Sequence, residues 1–450
     1  MKRIYLTLVV VAVAWGVRAQ NAPTAMSLQQ CIEYAKVNNP NLKNAEAGIQ
    51  AAKARVGETV ATGLPQIAAN ADLGSNFIIP TSFLPAAILG GPPGEFVGVK
   101  FGTQYVGRAT VDVNQMIFNG SYFVGLKASR TYTELSRKDL ISSQTDVVTA
   151  IKKAYYGVLV SAERLALVEK NVQRLDSLLT QTKVMYENGF AEKIDVSRIQ
   201  VQYNNIVTAK KTSTIGLEIG MNILKFQMGL PMTENITLSD NLESIQLQVL
   251  NDDFKKDFSY SNRIEYSKLE INRALTELDI KNTNAQYLPN LNFYGSYGAS
   301  YGTNTFDNFI AFGSQWRDLG VVGIRANIPI FDGLRKSNQV QQKKIALQQI
   351  ENTQVLVKNQ IDMEQEQATL TFANNLETLK SQRMNMDLAQ EVYNVAVIKY
   401  QQGVGSNIEV INADASFKEA QTNYYAALYD ALIASVDLEK SYGKILASAN

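Results

Sequence analysis

The side chains able to do chemistry are few. Histidine is absent from all 450 residues, which removes the commonest general base, the commonest metal ligand and every Ser-His or Cys-His nucleophile pair. Cys31 is the only cysteine, so neither an internal disulfide nor a multi-cysteine zinc site can form. The carboxylates are scattered along the chain with no nucleophile or ligand set beside them, and no glycine-rich phosphate loop with its lysine is present. This inventory argues against an enzyme, a metal or cofactor site and a nucleotide-driven machine. Two carboxylates do recur in one context. Asp195 lies in Ile194-Asp195-Val196 after Tyr186-x-x-Gly189, and Glu409 lies in Ile408-Glu409-Val410 after Tyr400-x-x-Gly403. A carboxylate in the first turn of a helix interacts favourably with the helix dipole, which is the plain reading of both.

The pairing belongs to a duplicated chain. Ile117-Phe118-Asn119-Gly120 returns as Ile330-Phe331-Asp332-Gly333, and Met228-Gly229 as Tyr442-Gly443. Leu64-Pro65-Gln66-Ile67 returns as Leu288-Pro289-Asn290-Leu291, 224 positions later, whereas the other landmarks recur after 213 or 214. The changed offset places a length difference of roughly ten residues between the strands, where variable loops are expected. The expected organisation is a leader at 1–19, a first repeat at 20–230, a linker at 231–261 and a second repeat at 262–450.

The leader reads as a secretory signal. Lys2 and Arg3 precede the apolar run Ile4 to Val13, and Val17-Arg18-Ala19 precedes the expected cut before Gln20. Loss of Lys2, Arg3 and Arg18 leaves 40 basic against 42 acidic residues, a balance that gives no sign of nucleic-acid binding. No later segment has the roughly 20 apolar residues of a membrane helix, so any membrane crossing must use strands.

Proline is absent from Gly94 to Leu230 and from Ile330 to Asn450. Because proline costs about 3 kcal/mol inside a helix, both spans are free to be long helices (120–229 and 333–443). In the first, Ile151, Val158, Leu165, Val172 and Leu179 repeat every seven residues, with Val147, Ala154, Val168 and Leu175 as companions. In the second, Val410, Phe417, Tyr424, Ala431 and Leu438 alternate with Ala413, Ala420, Ala427 and Ala434. Both are coiled-coil seams. The expected hairpins turn at Gly189 and Gly403, with new helices near Lys193 and Asn407.

Four segments alternate apolar and polar residues with period two: about 65–76, 104–117, 289–301 and 320–331. Their length suits tilted membrane strands. Four strands cannot close a barrel, and open edges are not tolerated in lipid. Copies must pool strands, and three subunits supplying twelve around a threefold axis is the natural closure. The expected fold is therefore mainly α with a small transmembrane β component. The competing reading is a structural coiled-coil protein of the envelope without transport activity.

With these motifs in duplicate and in order, the chain from Ser27 to Gly443 resembles the TolC-like outer-membrane efflux family. Ser27-Leu28-x-x-Cys31-Ile32-x-x-Ala35 with Asn39-Pro40 adds to the likeness. The resemblance implies a homotrimer in the outer membrane of a Gram-negative type envelope, with a twelve-stranded barrel in the lipid and a helical tunnel through the periplasm. It also implies an equatorial belt that includes Pro231–Ser261. The implied partners are a periplasmic adaptor and an inner-membrane pump, so that the chain is a passive exit duct of an efflux or secretion system. Tyr186, Gly189, Tyr400 and Gly403 would then mark the periplasmic tips and the adaptor contact. Asp195, Glu409 and Asn412 would line the aperture. Family members carry two aspartates at the positions of Glu409 and Asn412, so one of two acidic rings is kept here. Carboxylates converging on a narrow opening favour cations. Those members also close the tunnel with an arginine where this chain has Gly405, which leaves Tyr400 and Asp195 as candidate closing partners.

Overall fold

The computed structural model describes residues 24–242, 258–310 and 316–447. The expected leader lies outside the described residues, as do residues 243–257 of the stretch between the repeats. Along the chain run β1 (Thr24–Met26), α1 (Leu28–Asn38), α2 (Pro40–Ala61), β2 (Gln66–Ser75), β3 (Thr81–Pro85), β4 (Phe96–Lys100), β5 (Tyr105–Phe118), α3 (Gly120–Glu187) and α4 (Lys193–Met228). Then follow β6 (Ile236–Leu238), α5 (Ile264–Ala285), β7 (Asn290–Thr303), the short α6 (Phe306–Ile310), β8 (Arg317–Asn327), α7 (Arg335–Gln401) and α8 (Asn407–Ser441). None of the described helices is long and apolar enough to cross a membrane.

The duplication is visible in the element bounds. Helices α2 and α5 are each 22 residues long, and both begin and end 224 positions apart, the offset of the Leu-Pro landmarks. Helices α3 and α7 end 214 positions apart, and α4 and α8 begin 214 apart. These offsets are the ones the short motifs carry.

Two compact units divide the chain. A sheet unit holds Ala45–Asp139 and Glu265–Lys358, and a helical unit holds Met1–Asn44, Leu140–Ile264 and Asn359–Asn450. In the sheet unit, four antiparallel strands pair in the order β2-β5-β7-β8. β8 stops at Asn327, short of the expected 331, and Pro329 explains the early end because it has no N–H to give a ladder. The stretch between β2 and β5 contains an antiparallel hairpin of β3 and β4.

In the helical unit one core gathers Cys31, Ile32, Tyr155, Leu224, Met228 and Val436. A second gathers Leu175, Leu179, Ile199, Tyr393, Val410 and Phe417. The α8 seam is buried at Val410, Ala413, Phe417, Ala420, Ala427, Ala431, Ala434 and Leu438, with Tyr424 half-buried. Alanine at every companion position lets neighbouring backbones approach while the larger residues fill the other layer. The α3 seam is buried at Val147, Ile151, Val158, Leu175 and Leu179 and half-buried from Leu165 to Val172. β1 pairs in parallel with β6, and beside that pair Asp240 accepts hydrogen bonds from the Leu28 N–H (3.0 Å) and the Tyr155 hydroxyl (2.8 Å).

Candidate functional site

The sheet has two chemically different faces. Its register aligns Ile67, Val113, Gly295 and Val322 in one row, and Ala69, Val111, Tyr297 and Gly320 in the next. Leu73, Gly107 and Tyr301 continue the same face. Ser75, Gln115, Thr303 and Asp318 are its polar members. Large side chains on this face stand open: Tyr297 is 67% and Val322 75% exposed. On the opposite face, Gln66, Asn114 and Tyr294 form one row, and Asp72, Arg108, Ser300 and Arg317 form another. Asp112 accepts hydrogen bonds there from Asn70 and Thr110, and the Arg325 guanidinium lies 5.0 Å from the Tyr294 ring centre. A period-two chain folded in register yields this separation directly. β2 and β8 each pair on one side only, so each presents a free edge.

The hairpins of the helical unit form the second part of the site. Gly189 (φ +80°) and Gly403 (φ +73°) adopt the left-handed conformation that ends each descending helix. Around them Tyr186, Phe190, Ile194, Val404 and Ile408 are exposed. Asp195 and Glu409 both occupy the third position of a new helix, yet their surroundings differ. The Asp195 carboxylate accepts from the Glu192 N–H at 3.2 Å and lies 3.8 Å from Arg198. It is used as a cap. At Glu409 it is the backbone N–H that is capped, donating to Ser406 Oγ at 3.3 Å, while the residue stays exposed. Asn412, one turn on, is exposed too.

Tyr400 is buried instead of exposed at the tip. Burial raises its phenol above the ordinary value; Thr182 acts the other way, and the Asp195 carboxylate adds to the rise. The two expected closing partners are thus electrostatic neighbours within one subunit. Asn407 is also buried, and neither its side-chain oxygen nor its nitrogen has a hydrogen-bond partner among the described residues. Gly405 donates its N–H to the Lys399 carbonyl at 3.0 Å. A Cβ built on it would fall 2.8 Å from Lys399 Cβ and 3.1 Å from the Tyr400 nitrogen. The turn is closed so tightly that no side chain fits at 405 without a shift of its neighbours.

Two features lay beyond sequence reasoning. The first is a charge cluster inside the helical unit. Asp414 is 3% exposed, with Arg174 at 3.1 Å and Lys418 at 2.5 Å. Arg174 also lies over the rings of Tyr393 (4.3 Å) and Phe417 (5.1 Å). Lys418, four residues on, is the only sequence signal. The second is a pair of open apolar stripes. Ile215, Ile219, Ile223 and Phe226 are exposed along one side of α4. On α7, Met363, Leu370, Met384 and Ile398 are exposed at multiples of seven residues, with the exposed Glu377 and Glu391 at the intervening positions of the same row.

The sequence profile of the outer membrane efflux protein family matches residues 31–206 and 261–444, which takes in both repeats. The chain belongs to that family. It is accordingly an outer-membrane efflux channel component, the passive exit of a tripartite system. TolC of Escherichia coli K12 is 20% identical over 435 residues, covering 94% of this chain and 83% of TolC. The cobalt-zinc-cadmium resistance protein CzcC of Cupriavidus metallidurans is 20% identical over 327 residues, covering 71% and 73% of the two chains. Among solved structures, the outer membrane protein VceC of Vibrio cholerae superposes with a TM-score of 0.70 at 16% identity, covering 92% of this chain and 96% of VceC. That likeness concerns the fold. For an outer membrane efflux protein the two-faced sheet has a ready assignment: the apolar face meets lipid and the polar face meets water.

Proposed function

We propose that three copies close a twelve-stranded barrel and a helical duct, through which an inner-membrane pump, reached by a periplasmic adaptor, expels its substrate. The carrying observation is the four-stranded sheet whose outer strands β2 and β8 have free edges. Such edges are not stable in hydrocarbon, where every N–H and C=O must be paired. The stripe on α4 supports the same assembly in the helical part, since it needs an apolar neighbour. Stacking the polar faces around a common axis leaves a wet passage.

Glu409 and Asn412 then line the narrow end of the duct, with one acidic ring from three Glu409 carboxylates. Asp195, engaged as a helix cap, supports the tip and the Tyr400 environment. The exposed apolar residues beside Tyr186, Gly189 and Gly403 form the adaptor contact. No catalytic step is assigned to any residue. Single cysteines placed along β2 and along β8 test the closure. Disulfides between a β2 cysteine and a β8 cysteine in membranes, running as a ladder up to a covalent trimer, are the expected result. Absence of any β2–β8 cross-link would refute the shared barrel.

A further inference from the structure

The hairpin of β3 and β4 is unusual in composition for a connection between two strands. Between Asn76 and Thr103 the only charged residues are Glu95 and Lys100. Phe77, Ile78, Phe83, Ile88, Phe96 and Phe101 are all exposed, Phe77 at 92%, Phe83 at 73% and Phe96 at 66%. The register pairs Phe83 with Gly98 and Pro85 with Phe96, so the two aromatic side chains of the hairpin share a face. A contiguous apolar patch of this kind marks an interaction surface. The second repeat has no such hairpin among its described residues.

The hairpin leaves the sheet at the end of β2 and returns at the start of β5, where the two faces differ sharply. On the polar face that end carries the charged row Asp72, Arg108 and Arg317. On the apolar face it carries Leu73 and Tyr301, with Trp316 stacked on Tyr301 at 5.8 Å and filling the space over Gly107. Aromatic residues at the rim of an apolar band are the side chains that favour a membrane–water interface. An uncharged, Phe-rich hairpin is compatible with continuing that face. Laid over the row of arginines it would desolvate them without pairing them.

We infer that the β3–β4 hairpin is a lipid-contacting element that rests in the outer leaflet beside the barrel, extending the bilayer-facing surface beyond the strands. This rests on the assignment of the apolar sheet face to lipid. Phe83 and Phe96 are the immersed side chains, and Lys100 and Glu95 keep to the headgroup level.

Tryptophan quenching tests it on the full-length protein. Trp15 and Trp316 are the only tryptophans. In a chain with both replaced by Phe, single reporters Phe83→Trp and Phe96→Trp are compared with the strand reporter Ile324→Trp. Each is reconstituted into phosphatidylcholine vesicles brominated near the headgroup. Blue-shifted emission and loss of fluorescence comparable to the strand reporter are expected for both hairpin positions. A quenched strand reporter with unquenched hairpin reporters would overturn the proposal alone. If Phe83→Cys then cross-links between copies, the hairpins instead meet as a lid. An unquenched strand reporter would overturn the face assignment and the hairpin proposal together.

Discussion

Arg174 donates to the Asp414 carboxylate at 3.1 Å across 240 residues of sequence, and the same guanidinium rests over the Tyr393 ring at 4.3 Å. Three helices are joined at this point, because Arg174 belongs to α3, Tyr393 to α7 and Asp414 to α8. The cluster lies within the second core, which also holds Tyr400 and Val410, so it braces the base of the second hairpin.

Asp414→Ala therefore leaves two cations without their buried partner. Loss of one member of a buried pair costs about 3–5 kcal/mol, and the partial exposure of Arg174 and Lys418 reduces this to on the order of 2–3 kcal/mol. The check is the denaturation midpoint of the detergent-solubilised protein, against Asp176→Ala on the exposed side of α3, which should barely move it. Equal midpoints for wild type and Asp414→Ala would remove the cluster from the account.

In the proposed trimer, replacing Glu409 by Gln discharges the acidic ring at the narrow end. Cation preference in single-channel recordings should fall, and Asn412→Asp, which adds a ring one turn deeper, should raise it. Selectivity untouched by both changes would mean that these positions lie away from the ion path.

Gly405 stands where the family resemblance implies an arginine, and it packs closely against Lys399 and Tyr400. Gly405→Ala should lower the melting temperature, and Gly405→Arg should lower it further while making the channel leakier. A Gly405→Arg protein as stable as wild type and less conductive would show that the turn accommodates the side chain after all.

The Cys31 thiol is pushed from 9.0 up to about 12, first by burial and second by the Asp240 carboxylate. The folded state thus holds the proton more tightly than the unfolded chain. Its contribution to stability is whole below the ordinary thiol value and is lost as pH rises from 9.0 toward about 12. At neutral pH a maleimide should leave Cys31 unlabelled until the protein unfolds. Rapid labelling of the native protein would contradict the buried position.

Much of this fold was legible because its rules are local. The strands declared themselves by period two, and the register then placed Ile67, Val113 and Val322 on one face. The hairpins declared themselves through Gly189 and Gly403, whose left-handed turns allow little else. What escaped was non-local or disguised. Arg174 and Asp414 meet through tertiary packing, which no spacing in the chain encodes. The β3–β4 hairpin hid among Pro80, Pro85, Pro92 and Pro93, residues that usually punctuate loops. β8 was read too long because the alternation runs on through Ile328 and Ile330, past the proline that ends the ladder. At the candidate aperture, Asp195 and Glu409 looked equivalent as sequence. The cap hydrogen bond from Glu192 and the nearby Arg198 separate the occupied carboxylate from the open one.

The central claim is that one subunit cannot enclose a passage and three can. Native mass spectrometry of the detergent-extracted protein, joined to conductance of the same sample in a planar bilayer, addresses it most directly. The account predicts a mass of three chains and stable, cation-preferring single-channel steps. A water-soluble single chain that leaves the bilayer silent would contradict it.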